Sequence, residues 1–118
     1  MLIDTNIVIY SLQGKKHVNK LIAGENLFLS FISEIELLSW PGLTPEDVEL
    51  IRLFIKQCRL IEYSSRLKDG VIEIRRKYKL KISDSFVAAT AIMLDLPLIS
   101  ADRNFGKVKE LNFFHVKP

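Results

Sequence analysis

Met1-Leu2-Ile3-Asp4-Thr5-Asn6 opens the chain, and Leu98-Ile99-Ser100-Ala101-Asp102 follows a related pattern near its far end. In each, a short apolar strand stops on or just before an acid. In an α/β protein with parallel strands, all strand carboxyl ends share one edge, and that edge is where ligands bind. An acid there faces a crevice. Two further acids belong to the same pattern. Ser33-Glu34-Ile35-Glu36 follows the apolar run Leu27-Phe28-Leu29, and Ser83-Asp84 opens an apolar helix just upstream of Leu98. Acids delivered by separate elements to one edge make a site for a hard cation. Their mutual repulsion is relieved when a cation sits among them.

The stretches between these points alternate in type. Leu2 to Asp4 reads as the first strand. Thr5 to Leu12 reads as a helix ending near Gly14, and Lys15 to Ala23 as a short basic helix with Val18, Leu21 and Ile22 inward. Leu27-Phe28-Leu29 is a second strand, and Ser33 starts a helix that Trp40-Pro41-Gly42 stops. Thr44-Pro45 is a strong helix start, with a capping Thr and Pro at the first helical position. The helix it opens carries Val48, Ile51, Phe54, Ile55 and, in part, Leu53 inward, and Cys58 is expected within it as a small buried hydrophobe. Leu60 to Tyr63 is a third strand. Ser64 caps a helix running to Tyr78 with Leu67, Val71, Ile72 and Ile74 inward. Ser83 caps a buried helix from Asp84 to Leu94, Leu98 to Ser100 is a fourth strand, and Phe113 to Val116 is a fifth candidate. The alternation predicts a three-layer α/β/α fold with a mainly parallel sheet of four or five strands. Residues 1-118 are expected to form one domain.

Composition narrows the function. The chain has 118 residues, 48% hydrophobic and 26% charged, which excludes a disordered chain. A net charge of +3 and a pI of about 9.1 permit nucleic-acid binding. Cys58 is the only cysteine, so no disulfide forms within the chain. No secretory leader precedes Asp4 and no apolar run reaches membrane-spanning length, so a cytoplasmic protein with no membrane association is expected. A Gly-rich phosphate loop and a nucleophile elbow are both missing. His17 and His115 are far apart and read as surface or core-edge residues.

Each acid also has a structural alternative. Asp4 suits the N-cap of the helix after it. Glu36, three residues after Ser33, fits a capping box. Asp84 can complement a helix dipole, though with Ser83 as the cap it has no capping duty. Asp102 suits the turn Ala101-Asp102-Arg103-Asn104.

Taken together, these motifs resemble PIN-domain ribonucleases. Leu2-Ile3-Asp4-Thr5-Asn6 resembles the opening motif of that family. Ser33 to Leu38 resembles the second, with its acid at Glu36, and Ile82 to Ala91 the third, with its acid at Asp84. Leu96 to Phe105 resembles the fourth, with Asp102 as the acid and Ser100 as a hydroxyl that helps hold the site. The small size resembles the VapC-like toxins of type II toxin–antitoxin pairs. The resemblance implies a metal-dependent endoribonuclease. Asp4, Asp84 and Asp102 would ligate Mg²⁺ or Mn²⁺, and Glu36 would bind a metal-bound water or a second ion. The ion would make hydroxide available near neutral pH. Thr5, Asn6, Ser100 and Asn104 would support the site. The resemblance also implies an RNA substrate, a cognate antitoxin and a homodimer. Many relatives carry an acid where this chain has Asn104. Lys15, Lys16, Arg75, Arg76, Lys79 and Arg103 are candidate phosphate contacts.

Other acid-lined folds fit less well. A phosphoacceptor receiver domain needs paired acids after the first strand and an Asp after the third, where this chain has Glu62-Tyr63. A haloacid-dehalogenase-type phosphatase needs a second Asp at Asn6. A catalytically inactive RNA-binding or scaffold module with the same fold is the remaining alternative.

Overall fold

The computed structural model describes residues Met1–Pro118. Five short strands form one sheet: β1 (Leu2–Ile3), β2 (Phe28–Ser30), β3 (Arg59–Ile61), β4 (Leu98–Ser100) and β5 (Phe113–His115). Their order is β3-β2-β1-β4-β5, and every neighbouring pair is parallel. The expected sheet is thus five-stranded and wholly parallel. β1 is central, and the chain winds to one side through β2 and β3, then to the other through β4 and β5. The reversal between β1 and β4 leaves a crevice at their carboxyl ends, where doubly wound sheets bind ligands.

Six α-helices cover the faces: α1 (Thr5–Leu12), α2 (Lys16–Ile22), α3 (Phe31–Leu38), α4 (Pro45–Lys56), α5 (Ser65–Tyr78) and α6 (Ile82–Leu94), with a 3-10 helix over Arg103–Lys107. Strand alternation divides the core in two. Leu2 and Leu98 pack on one face with Leu67, Val71, Ile74, Val87 and Phe105. Ile3 and Ile99 pack on the other with Ile7, Val8, Val18, Leu37, Ile51 and Ile55. So α5 and α6 cover one face and α1 to α4 the other.

Local chemistry explains the boundaries. Gly14, at φ +79°, takes the left-handed turn that ends α1. Thr44 caps α4 through a capping box with Asp47, with Pro45 at the first position. Ser64 caps α5 by accepting from the Leu67 amide at 3.1 Å. Between α5 and α6 only Lys79, Leu80 and Lys81 intervene, so the two helices form an antiparallel hairpin. At its middle, a Cβ on Gly70 would meet that of Ala89 at 3.4 Å, so the small residues of α6 admit α5 as well as the sheet.

Several expectations are corrected. Helix α3 starts at Phe31, and its cap is Ser30, whose hydroxyl accepts from the Ile32 amide at 3.1 Å. Ser33 therefore lies inside the helix, fully buried, and no Ser33–Glu36 capping box exists. Helix α6 starts at Ile82, with Lys81 at the cap position and no side-chain cap, so Ser83 is a helical residue. Cys58 lies just beyond α4, half-buried, with burial pushing its thiol up to about 11. Leu21, Leu53 and Ile72 are 40%, 49% and 51% exposed, because the buried stripe of each helix is narrower than its apolar sequence.

Phe105 is the largest fully buried side chain and closes the core beneath the loop after β4. Phe105→Ala is expected to cost about 3–5 kcal/mol. Urea unfolding should show the midpoint collapsing. A loss under 1 kcal/mol would mean the loop is not anchored by this ring.

Candidate active site

The four acids stand at the carboxyl edge of the sheet. Asp4 follows β1 directly and is the N-cap of α1. Asp102 lies two residues beyond the end of β4 and caps the 3-10 helix, accepting from the Asn104 amide at 2.9 Å. Glu36 lies in the second turn of α3, which leaves β2 without a break, and Asp84 lies in the first turn of α6. Both structural alternatives for Asp4 and Asp102 are thus real duties, held alongside a place in the cluster. Of the alternatives for the other two acids, the Glu36 capping box is gone, whereas the Asp84 one stands: it sits in the first turn of a helix that lacks a side-chain cap, where it complements the dipole.

Asp4 is the anchor. It is only 7% exposed. One oxygen accepts from the Thr5 amide at 2.8 Å, and the other accepts from the Ser100 hydroxyl at 2.7 Å and the Asn6 amide group at 3.4 Å. Ser100 in turn accepts from the Asn6 side chain at 3.2 Å and the Asp102 amide at 3.0 Å. The Asn6 carbonyl oxygen accepts from the Ala101 amide at 3.2 Å. Asn6 and Ser100 therefore lock the turn carrying Asp102 against the turn carrying Asp4. A ring nitrogen of His115 lies 3.1 Å from the Ala101 carbonyl oxygen and holds the same loop from β5.

Thr5 serves the second acid. Its hydroxyl is 2.7 Å from Glu36 Oε1 and 3.0 Å from Ser33 Oγ. With one proton to give, Thr5 donates to the carboxylate and receives from Ser33. Ser33 thus acts at the site, a role hidden by its resemblance to a cap. Its full burial on the side of α3 facing α1 is the signal that reveals it. Asn104 is exposed and contributes its backbone amide to Asp102.

The electrostatics are unfavourable as they stand. Desolvation raises the Asp4 carboxyl from 3.8 to about 6, against hydrogen bonds from Ser100 and Thr5 that lower it, and the charges of Asp84 and Glu36 raise it further. Asp84 is also raised, first by desolvation and then by the Asp102 charge, with Lys81 opposing and Glu36 adding. Lys81, the last cation of the basic run that begins at Arg75, is thus the one whose charge acts on Asp84. No three His, Cys, Asp or Glu side chains are gathered closely enough to hold a metal ion as they are placed. The hydrogen bonds explain this, since Asp4, Glu36 and Asp102 are each turned to local donors. The donor chemistry nonetheless fits a hard divalent cation: oxygen ligands only, several negative charges, and two of them held at a cost that positive charge would relieve.

The candidate phosphate contacts are scattered. Lys15 and Lys16 lie past the far end of α1, about 12 Å from its start at Asp4. Lys15 rests its ammonium 4.4 Å from the centre of the Tyr10 ring. Arg75 donates to the Leu80 carbonyl at 2.8 Å and so braces the α5–α6 turn. Arg76 is exposed, Lys79 is the left-handed cap of α5, and Arg103 directly follows Asp102. The hairpin brings the basic end of α5 to the end of α6 that carries Asp84.

A stability test follows from the burial of Asp4. Its folded-state pKa lies above that of the unfolded chain, so the folded protein holds the proton more tightly. The penalty for ionising it is absent below about pH 4 and complete above about pH 6, where it approaches 3 kcal/mol. Relative to wild type, Asp4→Asn should therefore gain stability as pH rises from 4 to 7. Mg²⁺ or Mn²⁺ at millimolar concentration should raise the wild-type melting temperature and do less for the variant. A wild-type-minus-variant difference that is flat with pH, or a melting temperature blind to metal, would contradict the assignment.

The PIN domain family model matches residues 1–111. No curated protein matches the sequence. Solved structures share its fold at low identity. A toxin–antitoxin complex from Klebsiella pneumoniae contains a chain 22% identical, with a TM-score of 0.84 over 98% of each chain. VapBC2 from Rickettsia felis, bound to a DNA fragment from its promoter, contains one at 18% identity and TM-score 0.86, again over 98% of each. DNA-bound VapBC from Salmonella typhimurium contains one at 20% identity and TM-score 0.83, over 97% of this chain and 96% of that one. With four acids at the carboxyl edge of a parallel sheet and a family match over nearly its whole length, this chain belongs to the PIN domain family.

Proposed function

We propose that the protein is a metal-dependent endoribonuclease, acting as one PIN domain over residues 1–118 and serving as the cytoplasmic toxin of a toxin–antitoxin pair. The observation that carries the reading is the buried Asp4 carboxylate, held at the sheet edge against its own desolvation with Asp84, Glu36 and Asp102 around it. A scaffold has no need to keep such a cluster. The toxin assignment and a cognate antitoxin draw on the VapBC complexes that share the fold; a homodimer is carried over from the family resemblance alone. No helix is long and apolar enough to cross a membrane.

In this reading Asp4, Asp84 and Asp102 hold Mg²⁺ or Mn²⁺, with Glu36 at the rim. The ion, when bound, supplies positive charge against the scissile phosphate and acidifies water near neutral pH. The chain's own residues do the rest. Ser100 and Asn6 fix Asp4 and the Asp102 turn relative to each other. Thr5, fed by Ser33, orients the Glu36 carboxylate, which is exposed and able to meet water. Lys81, whose charge acts on Asp84, and Arg103, next to Asp102, are the candidate contacts for phosphate oxygens. No histidine is required for this hydrolysis.

Asp4→Asn and Asp84→Asn keep side-chain shape and remove charge, so each should abolish cleavage of structured RNA, transfer RNA included, with the fold retained. Glu46→Gln, in the exposed first turn of α4, should leave activity near wild type. Asp47 is unsuitable as a control because its carboxylate closes the Thr44 capping box. The assay is cleavage with Mg²⁺ or Mn²⁺, with growth arrest on expression as the cellular readout. Wild-type protein that cuts no RNA with either metal, or an active Asp84→Asn protein, would move the assignment to the RNA-binding scaffold.

A further inference from the structure

At the same sheet edge, two strands from Asp4, an aromatic side chain stands open. Tyr63 lies two residues beyond the end of β3 and is 51% exposed. Its ring meets Phe31 edge-to-face at 6.5 Å and 88°, and Phe31 meets Phe86 in the same way at 5.5 Å and 85°. Phe31 is the first residue of α3, which carries Glu36, and Phe86 lies two residues after Asp84 on α6. A ladder of three rings therefore runs from the helices bearing two of the acids to the exposed end of β3. Its inner members are half-buried, and Tyr63, at its outer end, is left half open to a further flat partner.

Register places this ring beside the acids. Ser30 pairs with Ile61 across β2 and β3, and Ser100 with His115 across β4 and β5. Continuing the pairing of Leu2 with Phe28 puts Asp4 level with Ser30. Adjacent strands are about 4.8 Å apart, so Ile61 lies roughly 10 Å to the side of Asp4, and Tyr63 follows two residues beyond it, past the edge. That is within reach of a nucleotide flanking a phosphate held at the acids. The chain carries a net charge of +3, and Arg76, Lys79 and Lys81 lie around the α5–α6 turn near Asp84, which suits a polyanion.

We propose that Tyr63 is a stacking platform for an unpaired base of single-stranded RNA whose neighbouring phosphate lies at the acid cluster. Aromatic stacking tolerates any base, because every base has a π face. The ring therefore secures single-stranded substrate without reading its sequence. This rests on the ribonuclease reading and adds the substrate's strandedness and a contact to it.

The test uses full-length protein with Ca²⁺, a hard cation that suits oxygen ligands but acidifies water less than Mg²⁺, and oligoribonucleotides carrying 2-aminopurine at successive positions, since that base loses fluorescence when stacked on an aromatic ring. Wild type and Tyr63→Phe should quench the probe at one position. Tyr63→Leu, which keeps apolar cover over Phe31, should bind on the order of 5- to 100-fold more weakly and leave the probe bright, with its unfolding midpoint retained. Quenching by Tyr63→Leu equal to wild type, or no position quenched by wild type, overturns the proposal. So does unchanged RNA affinity accompanied by altered sedimentation of Tyr63→Leu, which would make the ring a contact between copies of the chain. Cleavage separates the two levels. A wild type that stacks the probe but cuts no RNA with Mg²⁺ or Mn²⁺ sinks the nuclease reading alone, and a fully active wild type matched by Tyr63→Leu sinks the stacking alone.

Discussion

The hydrogen bond from Ser100 to Asp4, 2.7 Å long, joins the carboxyl ends of the two strands between which the sheet reverses its winding. Asp4 is nearly without solvent there, and its carboxyl is raised to about 6. A carboxylate buried in this way lowers stability unless positive charge arrives. The protein tolerates it by surrounding it with donors: the Thr5 amide, the Asn6 side chain and the Ser100 hydroxyl. Those donors are also what fix the loop carrying Asp102. One constraint thus sets both the charge of the site and its shape.

The remaining acids depend on how the crossovers return. Helix α3 begins directly after the last residue of β2, so Glu36 is carried back toward α1 and meets Thr5. The α5–α6 hairpin turns within three residues, which puts Asp84 at the same edge and brings a basic helix end with it. Asp84 differs from the other acids: its carboxyl is raised by burial and by Asp102, and only the Lys81 charge works against this. Asp4 and Asp84 are accordingly the two positions at which added positive charge stabilises the protein most. Asp4, Glu36 and Asp102 are each held by local donors: the Thr5 amide and Ser100 hydroxyl, the Thr5 hydroxyl, and the Asn104 amide.

Much of this was legible because it is local or periodic. The strands at Leu2 and Leu98 are short apolar runs that end at a polar residue, Asp4 and Ser100, and Thr44-Pro45 marks a helix start by stereochemistry. The helix over Thr5–Leu12 and the strand over Leu98–Ser100 fall where the sequence puts them. Ser33 and Ser83 were misread for one reason. A serine followed by acids matches a cap, but capping is decided by where the preceding strand or turn ends. Ser30 takes the duty in α3, and α6 goes without a side-chain cap. Exposure of Leu21, Leu53 and Ile72 depends on helix rotation, which is set by packing rather than by composition. The Thr5–Glu36 and Asn6–Ala101 bonds join residues 31 and 95 positions apart, beyond the reach of any spacing rule. The basic residues were least legible, since Arg75 is taken up by a turn and Lys15 by Tyr10.

The most direct test of the central claim is the ionisation of Asp4 itself, followed by carbon-detected NMR of its side-chain carboxyl group. Without divalent metal it should titrate near 6, well above an ordinary aspartate. With millimolar Mg²⁺ the midpoint should fall, because the ion favours the charged form. An Asp4 that titrates in the ordinary carboxylate range and ignores Mg²⁺ would contradict the view that this fold keeps a buried negative charge for a cation.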